Sequence, residues 1–152
     1  MHRRLFLTLT ASALIIGRNA GAGSFEVTLT EAEWRARLTD LQYRVLREED
    51  TERAGSSPLD GEHRAGTFAC AGCALPLFSS TAKFDSGTGW PSFFQPLQGA
   101  VGTRADPGIF GDRTEVHCAR CGGHLGHVFD DGPQPTGKRY CMNGAALVFS
   151  AA

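Results

Sequence analysis

Two Cys-x-x-Cys pairs, Cys70/Cys73 and Cys118/Cys121, constrain this chain more than any other feature. Four cysteines in this spacing match the ligand count of a closed tetrahedral zinc site. The pairs are separated by 44 residues, from Cys73 to Cys118, more than a compact zinc finger allows, so two distant turns must be brought together by the structure between them. Each pair sits in turn composition: Cys70-Ala71-Gly72-Cys73 precedes Pro76, and Cys121 runs into Gly122-Gly123. Glycine permits the chain reversal that aims two thiolates at one ion. Two disulfides, or a redox-active Cys-x-x-Cys, are the competing uses of the same residues.

Cys141 is the fifth cysteine and has no obvious partner. On an extended strand, alternate residues share a face, so Arg139, Cys141 and Asn143 point one way and the core-like Tyr140 and Met142 the other. A guanidinium two residues from a sulfur favours the nucleophilic thiolate. His124 and His127 are three apart and would fall on opposite faces of an ideal strand; a bulge at Gly126 restores one face. Two histidines flanking glycine and followed by Asp130-Asp131-Gly132-Pro133 read as a site rather than as core packing. As zinc ligands they are surplus to four cysteines.

The length, 152 residues, fits one domain with a modest core. Residues 1–22 read as an export signal: His2-Arg3-Arg4 is basic, the 13 residues from Leu5 to Gly17 are mostly apolar, and Ala20-Gly21-Ala22 is a small-x-small cleavage signal. That apolar stretch is short for a bilayer crossing, so no stable membrane insertion is expected after cleavage. Arg3-Arg4-Leu5-Phe6-Leu7 also resembles a twin-arginine signal, and a general secretory signal is the other route. Either route places the mature chain, residues 23–152, outside the cytoplasm, in a bacterial periplasm. It would lack three of the 15 basic residues and none of the 16 acidic ones, moving the net charge from −1 to −4. Lys and Arg are scattered, which excludes a nucleic-acid surface.

Thr30-Glu31-Ala32-Glu33 predicts a capping box and a short helix that turns Trp34 and Leu38 inward. Thr39 predicts a second N-cap, before a helix that buries Leu41, Val45 and Leu46. Residues 47–66 read as a polar loop that wraps rather than packs. Beyond it, 19 glycines and 7 prolines in the chain point to turns joining short strands, expected at 66–69, 77–78, 90–95, 101–104, 114–117, 127–129 and 139–149, the last broken at Gly144. Strands without alternating helices predict a mainly β fold of two antiparallel sheets, preceded by two short helices.

Three blocks carry a family resemblance: Cys121 to Pro133, Arg139 to Asn143, and Phe84 to Phe93 (Phe-Asp-Ser-Gly-Thr-Gly-Trp-Pro-Ser-Phe). With Tyr43 to Glu48 and Thr51-Glu52-Arg53, they resemble the methionine-R-sulfoxide reductases of the MsrB family over roughly residues 25–150. The resemblance implies two antiparallel sheets and one structural zinc on Cys70, Cys73, Cys118 and Cys121, away from the active site. It implies that Cys141 attacks the sulfur of an R-configured methionine sulfoxide in an oxidised protein. His127, assisted by His124, would donate the proton, with Arg139, Asn143 and Asp130 in support. Trp90 would receive the substrate methyl group, with Phe129 nearby. A thioredoxin-like protein or small thiol would return the enzyme to its reduced form.

The chain departs from the family pattern at three positions. Many members carry a recycling cysteine where Thr88 stands here, commonly a Ser in place of Gly144, and an Arg in place of His117. The first change removes the usual internal partner for an oxidised Cys141. Two other functions compete: a non-catalytic zinc-stabilised β binding module, which has no need of Cys141, and a disulfide oxidoreductase using the Cys-x-x-Cys pairs.

Overall fold

The computed structural model describes residues 24–108 and 111–152; the expected export signal lies outside them. Two helices come first, α1 (Glu31–Arg37) and α2 (Asp40–Glu48). Both begin with a capping box. The Thr30 backbone N–H donates to Glu33 Oε2 at 2.7 Å while Thr30 Oγ1 accepts from the Glu33 N–H, and Thr39 and Gln42 repeat the exchange. Such caps matter here because seven and nine residues are too few for a helix to stand alone. Tertiary contact supplies the rest: Trp34, Tyr43, Val45 and Leu46 are buried. Leu41 is not, at 37% exposed, and Tyr43 takes the inward place expected of it, under the Arg35 guanidinium.

The strands are β1 (Gly66–Cys70), β2 (Pro76–Ser79), β3 (Lys83–Phe84), β4 (Ser92–Phe93), β5 (Val101–Gly108), β6 (Gly111–Cys118), β7 (His124–Phe129), β8 (Arg139–Met142) and β9 (Leu147–Ala151). They form two antiparallel sheets, ordered β2-β1-β9 and β3-β4-β8-β7-β6-β5. The expected break at Gly144 is a 3-10 turn, Gly144–Ala146, that sends the chain from one sheet to the other. Inward side chains of both sheets make the core: Phe78 of the small sheet stacks on Phe93 of the large one at 4.3 Å, and Phe68 meets Phe93 edge-on at 5.0 Å.

The loop after α2 packs as well as wraps. Its Gly55 N–H donates to Gly89 O at 2.7 Å, and Glu52 is 4% exposed. A buried carboxylate needs partners. Glu52 Oε1 and Oε2 accept from the backbone N–H groups of Gly144 and Ala145, at 2.6 and 2.8 Å.

Candidate active site

Cys141 lies on β8 between two neighbours, opposite Ser92 of β4 on one side and His127 of β7 on the other. It forms the floor of a cavity of about 150 Å³, walled by Trp90, Phe129, His127 and Asn143. That is room for a small apolar group, well below the size of a drug-binding pocket. The parity expected of β8 holds: Met142 is fully buried on the other face, and Tyr140 packs against Phe78.

β7 closes on β8 because Gly126 has no side chain. A Cβ there would sit 2.1 Å from Cys141 O, and its φ of 156° is one that other residues rarely adopt. The register of β6 against β7 slips by one: Val116 faces Gly126 and His117 faces His124, leaving Leu125 as the extra residue. This bulge brings His124 and His127 to one face, with ring centroids 5.4 Å apart.

Each histidine has its own carboxylate. His127 Nε2 lies 2.8 Å from Asp106 Oδ2, which also accepts from Arg113 at 2.8 Å. His124 Nδ1 lies 2.9 Å from Glu115 Oε1, and both side chains are buried. Neither acid was singled out from the sequence. Asp106 comes 21 residues before His127 and reaches it only because β5, β6 and β7 lie side by side; Glu115 comes from the strand expected at 114–117.

Burial decides the proton affinities of the two central groups. It pushes the Cys141 thiol up, and the Thr88 hydroxyl, the Arg139 charge and Ser92 only partly oppose it. The guanidinium effect expected from the sequence is present and is outweighed. Burial also pushes His127 down against the hydrogen bond to Asp106, with Arg113 and His124 adding to the drop. For Glu115 burial works upward, but the hydrogen bond from His124 and the charge of Arg104 win, and its carboxyl is held below the usual range.

The remaining expected residues divide. Arg139 stacks over Phe129 at 4.5 Å and forms a two-point bond with Asp131, both contacts at 2.8 Å. Asp130 is turned outward instead, 83% exposed and paired with Lys138, and the neighbouring Asp131 is the acid on Arg139. Asn143 accepts the Glu52 N–H at 2.9 Å and donates to Leu125 O at 3.1 Å. The Trp90 indole donates to Glu52 O at 3.1 Å. Glu52 thus fixes two of the cavity walls, Trp90 and Asn143, from the preceding loop. Thr88 Oγ1 is 3.9 Å from Cys141 Sγ.

Cys70, Cys73, Cys118 and Cys121 gather elsewhere, their sulfurs all within 4.8 Å of one another. The sulfurs of Cys73 and Cys118 are 3.5 Å apart and those of Cys70 and Cys121 3.7 Å, far beyond the roughly 2.05 Å of a disulfide. Tetrahedral thiolates about 2.3 Å from one ion would stand about 3.8 Å apart, so the cluster fits a metal. Both turns are built alike. Ala74 N–H donates to Cys70 O and Gly122 N–H to Cys118 O, while the Cys70 and Cys118 N–H groups donate to Leu75 O and Gly123 O. The left-handed residue is the one after the second cysteine, Ala74 and Gly122, and not Gly72.

A SelR domain matches residues 38–151. Among similar proteins, a peptide methionine sulfoxide reductase MsrB of Thiobacillus denitrificans is 56% identical over 121 residues, covering 79% of this chain and 92% of its own. One from Bradyrhizobium diazoefficiens is 56% identical over 123 residues, 80% of this chain and 88% of the relative. One from Leptospira interrogans is 49% identical over 127 residues, 83% and 97% of the two chains.

Proposed function

The chain belongs to the MsrB family of peptide methionine sulfoxide reductases, and from that premise we propose that it reduces the R epimer of protein-bound methionine sulfoxide through a sulfenic acid on Cys141. The observation that carries this reading is Cys141 at the floor of an aromatic-walled cavity with His127 directly across the strand. Trp90 and Phe129 offer an apolar wall to the substrate methyl and methylene groups. Asn143 and His127 face the polar end.

In the chemical step the Cys141 thiolate attacks the sulfoxide sulfur. One proton from His127 neutralises the oxygen, which passes to Cys141 as S–OH while the transient S–S bond and the substrate S–O bond break and the thioether leaves. An external thiol then attacks the sulfenic sulfur, water departs, and a second thiol releases Cys141 from the mixed disulfide. Thr88 supplies no thiol for an internal route. The four remaining cysteines would hold one structural zinc, which contributes binding energy to the fold and takes no part in the reaction.

Residues 1–22 would direct the chain to the periplasm, where the reductant is a thioredoxin-like protein or a small thiol. No helix of the described residues is long and apolar enough to cross a membrane.

Assaying both sulfoxide epimers in a dabsylated methionine substrate, with dithiothreitol as reductant, tests the reading. The R epimer should be consumed, and Cys141→Ser should abolish turnover while keeping fold and metal content, because oxygen is a much poorer nucleophile near neutral pH. Preference for the S epimer, or activity in the serine variant, would refute it.

A further inference from the structure

His127 separates two chambers. On one side is the Cys141 cavity; on the other is a polar chamber of about 360 Å³, bordered by Arg104, Asp106, Arg113, Glu115 and His124. The chemistry proposed above uses the first and gives the second no role. His124 opens onto it and is 3% exposed.

Glu115 decides which nitrogen of His124 carries the proton. A carboxylate can only accept, so Nδ1, 2.9 Å from Glu115 Oε1, must be the N–H. Glu115 stays ionised despite being 2% exposed, because Arg104 pairs with its other oxygen and His117 Nδ1 lies 3.6 Å from that oxygen. In neutral His124 this leaves Nε2 as a bare acceptor, and among the described residues it has no hydrogen-bond partner. A buried acceptor without a partner is costly unless a donor visits it. The His127 ring stands edge-to-face beside it, and both rings border the polar chamber, which is large enough for water.

We propose that Glu115 is a positioning residue for the acid step: it fixes His124 as a proton acceptor toward the chamber, through which water returns to His127 the proton spent on each sulfoxide oxygen. The inference rests on the Cys141 reading. A proton leaves His127 with the oxygen, and one from bulk water enters by the chamber, so the balance is closed by solvent alone. Glu115 also sets a negative charge behind His124, whose ring stands 5.4 Å from that of His127, and a nearby negative charge favours the imidazolium of His127 against the burial that lowers its proton affinity. Facing His127 are also Asp106, Arg113 and His124, and facing Cys141 is Arg139.

The test is Glu115→Gln, read as the pH profile of kcat/KM for the R sulfoxide beside metal content and thermal stability. The plateau should fall about tenfold and the limb governed by His127 should move to lower pH by roughly one unit, since one unit of proton affinity is a factor of ten in the protonated fraction. Glu115→Asp, which restores the charge, should recover much of both. A plateau that falls with the limb unmoved means that Glu115 only supports the fold, and overturns the proposal. Nitrogen NMR of the histidines in the unaltered enzyme gives a check that does not depend on the variant folding. Neutral His124 should carry its proton on Nδ1, and an Nε2–H tautomer would end the proposal. Cys141→Ser dead with Glu115→Gln normal would sink this inference alone, whereas an active Cys141→Ser would sink the reading beneath it.

Discussion

Cys141 and His127 are directly opposed residues on adjacent strands, and burial moves their proton affinities apart, the thiol upward and the imidazole downward. In the proposed mechanism the reactive pair would be a thiolate beside an imidazolium, which is the scarcer combination for such groups.

The first prediction concerns pH. Between the two affinities each rise in pH adds thiolate and removes imidazolium in equal proportion, so kcat/KM should be level. It should fall only below the His127 value, which burial holds under that of an ordinary histidine, and above the Cys141 value, which burial holds over that of an ordinary cysteine. A profile at saturating reductant with either limb inside that window would contradict the arrangement. Stability follows the same signs. The lowered His127 favours folding above its unfolded value and loses that contribution as pH falls through the acid range; the raised Cys141 favours folding below its unfolded value and loses it as pH rises.

The metal should be zinc at one per chain, measured by atomic absorption. Closed four-thiolate sites contribute on the order of 10 kcal/mol to small domains, so chelation should unfold the protein or lower its melting point steeply. Cys118→Ser should lose metal and stability before any chemistry at Cys141 is touched. A folded, metal-free protein with these cysteines in disulfides would exclude the site.

Recycling gives a third test. One turnover without reductant should leave a sulfenic acid on Cys141 that reacts with dimedone, because Thr88 has no thiol to trap it. Thr88→Cys places sulfur where Oγ1 lies 3.9 Å from Cys141 Sγ, and that variant should collect an 88–141 disulfide after one turnover. A disulfide from Cys141 to any of the four clustered cysteines in the unaltered enzyme would instead make the metal site the resolver.

The fourth prediction concerns Gly144, where the family resemblance leads to an expectation of Ser. A Cβ at this position would lie 2.0 Å from Ser57 Oγ and 2.4 Å from Ser57 Cβ. Gly144→Ala should therefore destabilise by about 1–3 kcal/mol, the usual cost of overpacking. Adding Ser57→Gly should recover most of it in a denaturation midpoint. Additive losses would mean that the contact is not the reason for the glycine. His117 is matched in the same manner, since a Cβ on Gly102 would strike its ring at 2.4 Å.

What the sequence made legible was local. The alternation Arg139, Cys141, Asn143 follows from the period of a strand, and the caps at Thr30 and Thr39 from hydroxyl chemistry. The pairing of His124 with His127 needed a bulge, and one is present, with Leu125 as the extra residue. What stayed hidden depends on strand order or on small changes of direction. Asp106 meets His127 through the β5-β6-β7 succession. Arg139 takes Asp131, while Asp130, one residue earlier and beyond the end of β7, pairs with Lys138. Burial, which overrode Arg139 at the sulfur, cannot be read from a spacing.

Glu52 bonds through its N–H to Asn143, through its carbonyl to the Trp90 indole, and through its carboxylate to the amides of Gly144 and Ala145. Four attachments at one residue make the loop and the cavity walls a single cooperative opening unit. In hydrogen exchange the Gly144 and Ala145 amides should share one protection factor with the Trp90 indole proton. The motion that exposes one exposes them all, and it would dismantle the Cys141 cavity in the same event.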